Sequence, residues 1–245
     1  MCTVSVIPLG EGFRLVTSRD ESPERAPALP PEWREVSVGG RRAIWPVDGQ
    51  AGGTWVAAAE HGLAMTLLNC NPMQRHPMED PGRRLSRGAL IPRLIRYSTA
   101  RRAMLAAARM DLGRFDPFRL VAVDLSRGMS VWDLIWDGRD LSARENGPWP
   151  VAFASSGLGD WRVDARLPLF SSMMGSLGAT APTQDAFHAH RWPDRPEISV
   201  MMDRGVARTV SVTRVEVHPD VENRFEISLV HEPVVAAIGE PSRPA

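Results

Sequence analysis

The chain has 245 residues, 43% hydrophobic and 24% charged, enough to bury one sizeable core and close to the length of a single domain. Its 29 basic residues balance 29 acidic ones, so no net field draws it to nucleic acid, acidic lipid or another polyanion. Every basic residue is Arg and none is Lys, which excludes a phosphate loop closed by Gly-Lys-Ser/Thr, a Schiff-base lysine and a Ser-Lys dyad.

In chain order, residues 2–7 alternate apolar and polar side chains, Gly10-Glu11-Gly12 makes a turn, and residues 13–18 supply the antiparallel partner, so the chain opens with a hairpin. Residues 21–33 hold too much Pro for strand or helix and read as an ordered loop leaving the second strand. Gly52-Gly53 opens a second hairpin, with strands at 54–59 and 63–69 joined by Glu60-His61-Gly62. From Ser86 to Met110 the period becomes helical, with Leu90, Ile91, Leu94 and Ile95 on one face and a break near Pro92. After Asp116-Pro117, strands at 118–125 and 130–136 flank Ser126-Arg127-Gly128, and Asp137-Gly138 turns the chain into a third, shorter strand of a meander.

A strand at 150–155 runs into a helical stretch from Asp160 to about Ser176, which sets Leu167, Phe170 and Met174 toward the core, and a short helix near 183–190 follows. Three closing strands, 197–203, 207–217 and 224–230, complete the sheet. Residues 1–232 read as one domain and 233–245 as a loosely held tail. This order does not suit βαβ alternation; it fits an α+β sandwich in which antiparallel sheets lie between helices.

Cys2 and Cys70 are the only cysteines, too few for a disulfide framework and without the paired spacing of structural zinc. With no signal-like leader and no apolar run near the ~20 residues of a membrane span, the expectation is a cytoplasmic protein. Once Met1 is removed, Cys2 carries a thiol and a free α-amine on one residue. The amine's reference pKa of about 7.7–8.0 lets it serve as base near neutral pH. Ser18-Arg19-Asp20-Glu21 lies where the first hairpin returns to Cys2, so an Arg and a carboxylate can hold the amine and the thiolate. His188 and His190 are two apart and, on a helix, point to different faces, which reads as solvated residues rather than a metal pair. Cys70 reads as a buried structural thiol.

The Met-Cys start, Arg19-Asp20-Glu21, the run Asp48 to Trp55 (DGQAGGTW), the strand end Leu67-Leu68-Asn69, Ser86-Arg87-Gly88 and the strand at 207–217 occur together in this order. Together they resemble the transport-and-Golgi-organisation family, also called NRDE. More distantly the chain is similar to the N-terminal-nucleophile hydrolases of the choloylglycine and penicillin-acylase kind. The resemblance implies a four-layer αββα sandwich, a Cys2 nucleophile, an Arg19 beside it, and Asp20 gripping the α-amine, or Glu21 if the register slips by one. It also implies an oxyanion donor at Asn69 and a supporting Arg208. The chain departs from the family where Ser18 replaces the Asn of NRDE, and where Ser156 stands for an Asn whose side chain would be a second oxyanion donor.

The activity so implied is hydrolysis of a small amide or thioester through an acyl-Cys2 intermediate, with no cofactor and no metal. The alternative is a non-catalytic binding or trafficking protein for haem or another lipophilic cargo. It draws on the two Ser departures and on eleven Met and eight Trp, which would line a lipophilic pocket with thiolate or His as axial ligand.

Overall fold

The computed structural model describes residues 2–37, 40–72, 81–126, 128–147, 149–222 and 224–235; Met1, Arg127 and the tail beyond 235 lie outside the described residues. The expected hairpin is β1 (Cys2–Leu9) and β2 (Gly12–Glu21), closed at Gly10-Glu11 with Gly10 at φ +58°, a left-handed conformation that favours glycine. These strands are the centre of a five-stranded antiparallel sheet, flanked by β10 (Val151–Ser155) on one side and by β11 (Arg208–Pro219) then β12 (Phe225–Pro233) on the other. A Cβ on Gly12 would lie 1.9 Å from the Val217 carbonyl oxygen, so only glycine lets β2 approach β11 this closely.

The second sheet has seven strands in chain order: β3 (Leu29–Glu35), β4 (Arg42–Val47), β5 (Val56–Ala59), β6 (Leu63–Asn69), β7 (Phe118–Asp124), β8 (Ser130–Trp136) and β9 (Leu141–Asn146). Its outer face buries α1 (Leu90–Leu94) and α2 (Ala100–Ala107) through Leu90, Ile91, Leu94, Ala103 and Met104. Its inner face meets the first sheet across Val4, Val6, Phe13, Leu15, Val56, Leu68, Val121 and Val215. The first sheet's far face carries α3 (Arg166–Leu177) and α4 (Ala181–His188) over Ile7, Phe170, Met174 and Phe187. The result is the expected α+β, four-layer αββα sandwich, with antiparallel sheets in the middle.

Three expectations about elements need correction, and one, the break near Pro92, is placed more closely. The Pro-rich stretch is not all loop: β3 is a strand, and it tolerates Pro30 and Pro31 because it is an edge strand whose register slips between Leu29 and Glu32, a bulge that asks no ladder N–H of them. The helical region breaks at 95–99, after Pro92, which sits in the first turn of α1 where its missing N–H costs nothing; α2 restarts at Thr99, whose hydroxyl accepts from the Arg102 N–H at 3.2 Å. Residues 197–203 are not a strand, since the Ile198 and Ser199 carbonyls bond the Arg166 guanidinium at 3.0 and 2.6 Å instead of a ladder. In α3 the buried row is Arg166, Phe170, Met174, while Leu167 is 36% exposed.

His188 is buried rather than solvated: Nε2 and Nδ1 each lie 2.7 Å from a hydroxyl, Ser5 on β1 and Ser18 on β2. Burial drives its pKa down to about 3, so the folded ring stays neutral where an unfolded one, near pH 6.5, takes a proton. Its contribution to stability is full above pH 6.5 and is lost as pH falls toward 3, at about 1.4 kcal/mol per pH unit. His188→Gln is therefore expected to flatten urea-unfolding stability against pH in that window; an unchanged slope would refute the assignment.

Candidate active site

Alternation along β1 sends Cys2, Val4 and Val6 between the sheets, and Thr3, Ser5 and Ile7 toward α3 and α4. Cys2 is 6% exposed and pairs on both sides, with Arg19 of β2 and Ser155 of β10; its nitrogen donates to the Ser155 hydroxyl at 3.3 Å. Burial pushes the thiol's pKa up, and the Asp20 carboxylate adds to this; the Arg19 charge and a hydrogen bond from the Asp20 backbone N–H pull it down. The thiol is thus neutral until a base takes its proton.

Cys2 opens into a cavity of about 190 Å³ between the sheet ends, shared with Arg19, Glu21, Arg25, Asp48 and Trp55. Asp48 organises it. Its Oδ1 accepts the N–H groups of Gln50 and Ala51 at 3.1 and 2.7 Å, while Arg25 bonds both oxygens at 2.9 Å and Arg19 bonds Oδ2 at 2.5 Å. Burial alone would raise its carboxyl, but Arg25, the Ala51 N–H and Arg19 together hold it below the ordinary range. So anchored, Arg19 stacks 4.6 Å over the Trp55 ring, and Trp55 in turn meets the His231 ring edge-on at 5.4 Å. The rim opposite is the turn at 86–88. A Cβ on Gly53 would come within 2.6 Å of the Gly88 backbone, and Thr54 N–H donates to the Gly88 carbonyl at 3.0 Å, so two glycines let the turn close down on the site.

Asp20 also borders the cavity, but its carboxylate, 2% exposed, is turned to Thr209 and Arg166. Thr209 Oγ1 donates to it at 2.7 Å, and the fully buried Arg166 stands 3.9 Å away, also donating to Thr3 Oγ1 at 2.7 Å. Burial raises the Asp20 carboxyl and the Arg166 charge opposes that rise. Glu21, the other sequence candidate, is instead on the cavity side, 3.8 Å from Arg19.

The structure therefore brings Cys2, Arg19, Asp20 and Asn69 to one cavity. It does not bring Ser156 or Arg208 to its lining. Ser156 Oγ accepts the Leu158 N–H at 3.2 Å, and its own N–H donates to Asp160 at 2.9 Å. Arg208 begins β11 opposite Glu21. Ser18 points to His188, away from the cavity, so that departure from the family pattern alters the helical face of the sheet and not the site. Cys70, half-buried, is pushed up to about 11 by burial and by Asp160 and does not line the cavity. Among the described residues no group of three or more His, Cys, Asp or Glu is placed to hold a metal, and no helix is long and apolar enough to cross a membrane.

Sequence reasoning gave no role to Asp48, Arg25 or Arg166. Asp48 had a signal: an Asp leading a Gly-rich run is the pattern of a side chain that accepts backbone N–H groups two and three residues on. Arg166 had one too, since it shares the i, i+4 row of Phe170 and Met174.

The family model described as Transport and Golgi organisation 2 matches residues 1–135. No curated protein matches significantly. Among solved structures, penicillin V acylase from Agrobacterium tumefaciens superposes with a TM-score of 0.55 at 12% identity, covering 95% of this chain and 84% of that one. The Caenorhabditis elegans ortholog of N-acylethanolamine-hydrolyzing acid amidase gives 0.56 at 12% identity, covering 87% and 92%. A variant of conjugated bile acid hydrolase from Clostridium perfringens gives 0.54 at 9% identity, covering 100% of both. The chain thus has the fold of N-terminal-nucleophile hydrolases; at these identities the likeness concerns the fold alone.

Proposed function

The chain belongs to the Transport and Golgi organisation 2 family, and from that premise we propose that it is an N-terminal-cysteine hydrolase that cleaves a small amide or thioester through an acyl-Cys2 intermediate. One observation carries the reading: the side chain of Cys2, first residue of a central strand, opens into a cavity beside the anchored Arg19. Removal of Met1 places the α-amine on the nitrogen that now faces the Ser155 hydroxyl, with Asp20 supplying the carboxylate for it. The amine takes the thiol proton, sulfur attacks the acyl carbon, and the tetrahedral oxyanion draws a donor from Asn69, a contribution of about 10²–10³ in rate where such donors have been removed. The leaving amine or thiol departs with the proton, and one water, activated by the same amine, releases the acid and restores Cys2. Arg19 supports this by lowering the pKa of a thiol that burial raises.

The lipophilic-cargo alternative is less well supported: among the described Met and Trp side chains only Trp55 lines this cavity, while others lie in the cores or, like Trp33 and Trp161, at the surface. Intact-mass measurement of purified protein is expected to show a chain short by one methionine, and an acyl electrophile is expected to label Cys2. Retention of Met1 on nearly all molecules would overturn the proposal.

A further inference from the structure

Of the cations around the cavity, Arg19 and Arg25 are both committed to Asp48, with Glu21 at 3.8 and 3.7 Å from them. Arg87 is placed differently. It sits on the 86–88 turn that the Gly53–Gly88 contact clamps over the cavity, it lines the same space as Cys2, and Nη1 donates to the Pro117 carbonyl at 3.0 Å. Among the described residues no carboxylate pairs with it, so one guanidinium borders the same cavity as the thiol without an ion-pair partner and with most of its donors unused. Burial and the neighbouring Arg84 charge press against its own charge, and the Glu21 carboxylate offsets this only in part. A half-buried cation of this kind is costly until an anion arrives, and a planar guanidinium fork matches a carboxylate bidentately.

We propose that Arg87 is a specificity-determining residue that binds a carboxylate on the acyl portion of the substrate, so that the substrate class is a small amide or thioester of a dicarboxylic acid. This rests on the reading of Cys2 as nucleophile, because the acyl portion is the part held on Cys2, inside the cavity, through both half-reactions. At about 190 Å³ the cavity is below the roughly 300–1,000 Å³ that drug-sized ligands occupy, which suits a short diacid. The reaction balances without a further reactant: the sulfur–acyl bond forms as the amide or thioester bond breaks, the leaving group takes the proton, and one water then gives the dicarboxylic acid.

The test separates the subsite from turnover. Cys2 is alkylated in mildly alkaline buffer with iodoacetate or iodoacetamide, which differ in the carboxylate, and adduct formation is read at peptide level so that Cys70 is distinguished. The iodoacetate-to-iodoacetamide rate ratio at Cys2 is expected to exceed that of glutathione by about tenfold, to fall to the glutathione value in Arg87→Gln, and to lie between the two in Arg87→Lys, which keeps the charge but not the fork. A wild-type ratio equal to that of glutathione overturns the proposal even if the Gln variant unfolds, as does a raised ratio that a folded Arg87→Gln retains. In parallel, glutaryl-p-nitroanilide is expected to be favoured over butyryl-p-nitroanilide by about 10- to 100-fold in kcat/KM, carried by KM. An Arg87-dependent alkylation ratio without hydrolysis of either anilide keeps the subsite and refutes the hydrolase reading. Hydrolysis that prefers the butyryl compound does the reverse.

Discussion

Cys2→Ala is expected to lower amide or thioester hydrolysis by about 10⁴–10⁶-fold, the scale seen when the nucleophile of a covalent hydrolase is removed, and to abolish acyl labelling while leaving the fold intact. The fold should survive because Cys2 contributes only one small side chain at a strand end, and its backbone pairings with Arg19 and Ser155 do not depend on sulfur. A companion variant with one Gly inserted between Met1 and Cys2 separates the two roles of this residue. After Met1 removal the thiol remains but the amine belongs to the inserted Gly. Iodoacetamide should still alkylate Cys2, whereas turnover should fall by about 10²–10⁴, the usual contribution of a positioned base. Full turnover in the insertion variant would refute the amine's role, and full turnover in Cys2→Ala would refute the nucleophile.

Arg166→Leu is expected to cost about 3–5 kcal/mol, the range for breaking a buried charge pair by removing one partner, or roughly 6–20 °C in Tm for a domain of this size. Arg166 is 1% exposed and holds three hydrogen bonds, to Ile198, Ser199 and Thr3, besides standing 3.9 Å from Asp20. Leucine fills part of the volume but leaves two carbonyls and a buried carboxylate behind. Part of the loss is therefore expected to return in the double variant with Asp20→Asn, by a coupling of about 0.5–3 kcal/mol. The Asp20 pKa is already raised by burial, and without Arg166 it rises further, so the cost of Arg166→Leu should shrink as pH falls and Asp20 takes a proton. Thermal unfolding at neutral and mildly acidic pH checks this; a cost that is small, or that grows in acid, would count against the pair.

What the chain revealed in advance follows from how local the determining contacts are. The β1–β2 and β5–β6 hairpins and the β7–β8–β9 meander are set by alternation and turns a few residues long, so they could be read directly. β4 went unread because Pro46 interrupts its pattern, and β3 because its prolines are tolerated only at a bulged edge. The opposition of Cys2 and Arg19 follows from the hairpin register. The Arg19–Asp48 bond joins residues 29 apart and the Arg166–Thr3 bond residues 163 apart, and only packing brings such pairs together. The helix phase shows the same limit: rows 166, 170, 174 and 167, 170, 174 both suit a 3.6-residue period, and apolar preference selects Leu167. Three hydrogen bonds to a guanidinium select Arg166. Ser156 was placed by analogy with a donor; within the 156–160 turn its hydroxyl accepts the Leu158 N–H.

The pairing of Cys2 with Ser155 has a consequence for timing. The first strand lies between a neighbour made at once, β2, and one made only when residue 155 has been synthesised. At about 5–20 residues per second, that delay is roughly 8–30 s. β1 therefore stays half-paired until β10 is made, and on the proposed mechanism this is the interval in which Met1 would be removed, before β10 closes over Cys2.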